Sequence, residues 1–72
     1  VNMVLQIGTN VSLPLGEYGV IVDINTKTFD WFPYKVKILK ATFNKTNEIL
    51  EFKESQIKKV EYVWKSGKVK EK

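Results

Sequence analysis

No stretch of this chain sustains apolar residues at helical spacing; its ordered stretches alternate, and turn-forming residues cut each one short. A period of two is the mark of a half-buried strand, because successive side chains point to opposite faces. Val11 and Leu13 alternate with Ser12, and Pro14-Leu15-Gly16-Glu17-Tyr18-Gly19 then supplies turn chemistry. Val20-Ile21-Val22-Asp23-Ile24 is β-branched and reads as a strand with Val20, Val22 and Ile24 on one face. Asn25-Thr26-Lys27-Thr28 reads as a loop, followed by the aromatic run Phe29-Asp30-Trp31-Phe32-Pro33-Tyr34. Pro33 holds that run off the centre of a sheet.

Further on, Tyr34, Val36 and Ile38 point one way and Lys35 and Lys37 the other. Asn44-Lys45-Thr46-Asn47 is a hairpin signal, and residues 49–53 form a fourth strand in which Leu50 and Phe52 oppose Glu51. Glu54-Ser55-Gln56-Ile57 suits a single tight helical turn. Val60, Tyr62 and Trp64 alternate with Glu61 and Val63 in a fifth strand, which Ser66-Gly67 ends.

Five short strands in about 60 residues argue for a small closed or nearly closed antiparallel barrel, since an open sheet of this size leaves two edges unprotected. The expected core is Val11, Leu13, Val20, Val22, Ile24, Val36, Ile38, Leu50, Phe52, Ile57 and Val60. The 72 residues divide into a short N-terminal segment (1–6), the barrel (7–64) and a frayed basic tail (65–72).

Gly8, Val11, the run from Gly16 to Ile24, Tyr34-Lys35-Val36-Lys37-Ile38 and Glu51-Phe52-Lys53-Glu54-Ser55-Gln56-Ile57 together resemble the layout of SH3-like barrels. The likeness is to small bacterial and phage-encoded barrels with KOW-like features, the glycine before a β-branched strand being the KOW-like element. It covers residues 7–63. It implies an all-β, five-stranded SH3-like barrel with one short 3-10 turn before the last strand. SH3-like barrels serve many unrelated roles, so the likeness names a fold and not an activity.

The chain has no Cys and no His, which removes disulfides, thiolate nucleophiles, zinc knuckles and the usual near-neutral general base. Asp23, Asp30, Glu48, Glu51 and Glu54 show no spacing that marks an acid–base pair, and Gly16 and Gly19 lack the residues of a phosphate loop. An enzyme is not expected, nor a cofactor, nor a metal. Apolar runs reach four or five residues, far short of a membrane span, so the reading is a soluble, cytoplasmic domain. All twelve basic residues are lysine, and Asn and Ile are plentiful, as AT-rich coding in a low-GC bacterium or its phage would produce.

Charge is uneven. Residues 1–34 hold one lysine against three carboxylates, and residues 35–72 hold eleven against five. The first candidate function is low-specificity nucleic-acid binding, with Lys35, Lys37, Lys58, Lys59 and Lys65 on phosphate and Trp31 and Tyr34 stacking on bases. The absence of arginine argues against reading of base edges. The alternative is a phage or mobile-element interaction and assembly module, docking a protein on the aromatic loop 29–34 or adding a strand at a sheet edge. Nothing in the sequence sets the oligomeric state.

Overall fold

A computed structural model of the chain describes residues 5–25, 31–63 and 69–70. Strands β1 (Asn10–Ser12), β2 (Tyr18–Ile24), β3 (Tyr34–Lys40), β4 (Ile49–Phe52) and β5 (Lys58–Lys59) make one antiparallel sheet in the order β4-β3-β2-β1-β5. The sheet is not closed: β4 and β5 are its two ends, and no ladder joins them among the described residues. Two 3-10 turns, Pro14–Gly16 and Glu54–Gln56, complete it. β6 (Tyr62–Val63) and β7 (Val69–Lys70) pair separately as a two-stranded ladder.

The long hairpin β2–β3 is the spine. Tyr34, Val36 and Ile38 are buried with Val11, Leu13, Ile21, Phe52 and Ile57, as their alternation requires. Each of the larger aliphatic side chains contributes roughly 1.5–3 kcal/mol by leaving water. Leu5 closes the same cluster, and Ile24, Ala41 and Leu50 pack against it half-buried.

The β2 alternation read from the sequence is out of phase with the fold. Ile21 is buried, whereas Val20 is half-buried and Val22 exposed. The cause is a register shift: Ile21 pairs with Val36 and Asp23 with Lys35, so Val22 has no partner of its own. One extra residue reverses the parity of a strand. Ile21 and Ile24 therefore both turn to the core, although simple alternation would set residues three apart on opposite faces. Gly19 precedes the shift at a crossing with no room for a side chain. A Cβ there would lie 2.5 Å from the Lys37 carbonyl oxygen and 2.6 Å from a Val36 methyl.

The C-terminal part also differs from the expectation. The strand that pairs with β1 is Lys58–Lys59, not residues 60–64. Val60 follows it, buried, and donates its N–H to the Asn10 carbonyl at 2.9 Å. Residues 69–70, read as part of a frayed tail, pair with β6, and Trp64 lies outside the described residues.

Candidate interaction surface

The turn Pro14–Gly16 is built from an unusual residue. Leu13 donates its N–H to the Glu17 carbonyl at 2.8 Å, closing a loop in which Leu15 has φ 67° and Gly16 has φ 74°. Glycine adopts that conformation freely; for a leucine it costs roughly 1–2 kcal/mol. The Leu15 side chain gains no burial in return, being 64% exposed. It stands instead on the rim of an open groove of about 490 Å³.

Pro14, Leu15, Phe32, Leu50 and Phe52 give this groove apolar walls, Gln56, Asn44 and Glu17 add polar groups, and Glu51 on the edge strand borders it. It runs beside β4, whose inward side chains Leu50 and Phe52 form one wall. The second 3-10 turn fixes the end near Gln56. Gln56 accepts from the Lys53 N–H at 2.9 Å through its side chain and donates its own N–H to the Lys53 carbonyl at 3.0 Å.

Glu17, which follows the Pro14–Gly16 turn, is buried despite its charge. Its Oε2 accepts the N–H groups of Thr42, Phe43 and Asn44 at 2.9, 2.9 and 2.8 Å, and its Oε1 accepts Asn44 Nδ2 at 2.6 Å. Burial opposes ionisation of this carboxyl, but the hydrogen bonds from Thr42, Asn44 and Phe43 outweigh it and lower its pKa to about 2. The charge therefore persists and fastens the loop 41–45 beside the groove, which Glu17 and Asn44 help to line. Phe43, on that fastened loop, is 73% exposed.

The aromatic segment divides. Trp31 is 76% exposed, and Phe32 is 41% exposed on the groove wall. Lys53 Nζ lies 5.7 Å from the Trp31 ring centroid and 5.3 Å from that of Phe32, a cation–π contact to both. Tyr34 does not join them. It begins the β3 alternation, so its ring is buried and its hydroxyl donates to Glu54 Oε1 at 3.1 Å. Burial first, then the bond to Glu54 and its charge, push the Tyr34 pKa up. No face of that ring is open for stacking. Phe29 and Asp30 lie outside the described residues.

Among the described residues, Lys35 and Lys37 do not gather with Lys58 and Lys59. Lys35 and Lys37 share the outer face of β3 and are half-buried, while Lys58 and Lys59 are exposed on β5. β2 and β1 stand between them in the sheet, three strand spacings or about 14 Å if flat. Lys35 is moreover flanked by Asp23 on β2 and Glu51 on β4. Lys65 lies outside the described residues.

Leu15, Leu50, Phe52 and Gln56, which make the groove with Phe32, were legible only as turn or core residues. The one signal for Leu15 was a leucine lodged between Pro14 and Gly16, continuing the Val11–Leu13 alternation into a turn. Glu17 carried no signal beyond its place in a turn. Compared with protein families, curated proteins and solved structures, the chain matches none.

Proposed function

We propose that this chain is a non-catalytic protein-interaction module, an SH3-like, partly open barrel whose groove beside β4 receives an apolar segment of a partner. The observation that supports it best is Leu15. The turn needs a left-handed residue, which glycine would supply without strain, and the leucine side chain stays in solvent on the groove rim. Strained residues with exposed apolar side chains serve contacts outside the fold more readily than the fold itself. Phe32 stands on the groove wall and shares Lys53 Nζ with the exposed Trp31, and aromatic side chains are favoured anchors in binding sites. Binding to nucleic acid has weaker support, because among the described residues Lys35 and Lys37 lie three strands from Lys58 and Lys59, and Tyr34 is buried.

The test is a random-peptide library selected on the immobilised protein at about 150 mM salt, where exposed charges are partly screened. Selected peptides are expected to lose at least about tenfold in affinity to Leu15→Ala or Phe32→Ala and to be indifferent to Lys58→Gln with Lys59→Gln. A selection that yields nothing, together with oligonucleotide binding that needs the lysines and ignores Leu15 and Phe32, overturns the reading.

A further inference from the structure

β4 is the end of the sheet, with β3 on one side and no neighbouring strand on the other among the described residues. Which of its main-chain groups face the free side follows from the ladder. Ile38 donates to the Glu48 carbonyl at 2.8 Å, and its own carbonyl accepts from Asn47 at 2.7 Å, so at the position just before the β3–β4 ladder the main-chain groups of Ile38 face the β4 side. Antiparallel ladders alternate bonded and non-bonded pairs. Leu50 and Phe52, opposite Val36 and Tyr34, therefore direct their N–H and C=O groups to β3, and those of Ile49 and Glu51 point to the open edge.

The outer face beside that edge carries an ordered row of charge. Asp23 on β2 pairs with Lys35 on β3, which pairs with Glu51 on β4. Signs alternate along the row, and Glu51, exposed, is its last member. The neighbouring outward position on β4 is Ile49, 56% exposed; Lys53, just beyond the strand, is exposed and holds its Nζ over the Trp31 and Phe32 rings. On the inner side, Leu50 and Phe52 line the groove.

We propose that the open edge of β4 takes an antiparallel strand from another protein with the pattern acidic–apolar–basic–apolar–apolar. This rests on the interaction reading above and specifies its partner. Read from the partner's N-terminus, the acidic residue meets Lys53, the basic one continues the alternating row opposite Glu51, and the last apolar residue covers Ile49. The two intervening apolar residues point into the groove beside Phe52 and Leu50. Directly opposed residues of unlike charge stabilise a strand pair and like charges oppose it. Edge addition of this kind draws affinity from the main chain and specificity from alternate side chains. A second copy of β4 fits less well. Pairing two copies about Glu51 sets two carboxylates opposite each other, and pairing them about Leu50 sets each Glu51 against Ile49; pairing about Phe52 matches Glu51 with Lys53 but puts Glu54 and Ser55 of the 3-10 turn where the two apolar residues are needed.

The probe is a labelled peptide with the core Glu-Val-Lys-Val-Val flanked by threonines, titrated into the full chain by fluorescence anisotropy. Three partners to it decide the matter: the charge-swapped core Lys-Val-Glu-Val-Val, a version N-methylated at the third and fifth core residues, and the protein variant Glu51→Lys. The expected result is a Kd on the order of 100 µM, weakened at least about tenfold by charge swapping or by N-methylation, with Glu51→Lys preferring the swapped peptide. Equal binding of both peptides, indifference to N-methylation, or no binding at about 1 mM peptide overturns the proposal. So does a dimer of the chain itself, seen by sedimentation equilibrium and abolished by Ile49→Lys. If library-selected peptides still require Leu15 and Phe32 when this peptide fails, strand addition falls and the groove reading stands; if both fail, both fall.

Discussion

The substitution Glu17→Gln tests the part of the fold that fastens residues 42–44 beside the groove. The carboxylate accepts four hydrogen bonds, three of them from consecutive main-chain N–H groups, and is 1% exposed. A glutamine side chain keeps one oxygen for the three amides but loses the charge, and its own amide must face Asn44. Hydrogen bonds to a charged acceptor are worth more than neutral ones, so the expected loss is about 2 kcal/mol at neutral pH. For a domain of this size that lowers Tm by about 8–16 °C. The sign of the pH dependence follows from the lowered pKa. Because the folded carboxyl titrates near 2 rather than at its ordinary 4.5, the unfolded chain binds more protons between those values. Stability due to Glu17 is fully present above about pH 5 and is lost as pH falls towards 2, a change of about 3 kcal/mol. Urea unfolding of the wild type and Glu17→Gln, from pH 6 down to pH 2, reads the difference directly. The gap between the two curves should close on acidification. Parallel curves would refute the assignment of a charged, loop-fastening Glu17.

Three further outcomes follow from the geometry. Gly19→Ala drives a methyl against the Lys37 carbonyl and Val36, and should cost at least about 2 kcal/mol, measured by chemical unfolding. Leu15→Gly removes a left-handed leucine and should stabilise the fold by about 1 kcal/mol while weakening library-selected peptides, a split that thermal melts and anisotropy read separately. Tyr34→Phe deletes the hydroxyl that bonds Glu54 and should cost about 1 kcal/mol without changing peptide affinity, since the ring faces the core.

Strand content was legible because alternation is a local property. Tyr34, Val36 and Ile38 lie inward and Lys35 and Lys37 outward, as their spacing requires, and Glu54–Gln56 makes the single tight turn expected of it. The phase of β2 was not legible. It depends on the unpaired Val22, and an inserted residue in a ladder is decided by the partner strand. Tyr34 failed as a contact residue for a related reason: its aromatic neighbours suggested a platform, whereas the strand that starts at Tyr34 sets its direction. The expected lysine face depended on which strands adjoin, and the order β4-β3-β2-β1-β5 keeps Lys35 and Lys37 apart from Lys58 and Lys59. The groove escaped notice because its walls come from a turn, a loop, an edge strand and a second turn that only tertiary structure assembles. Among the described residues no helix is long and apolar enough to cross a membrane.

The most direct test of the central claim is a chemical-shift map of the isotope-labelled protein titrated with the tightest library-selected peptide. The account predicts that amide shifts concentrate at Leu15, Phe32, Asn44, residues 49–53 and Gln56, leaving Lys58 and Lys59 unmoved. Shifts centred on Lys58, Lys59 and β1, with the groove residues silent, would contradict it.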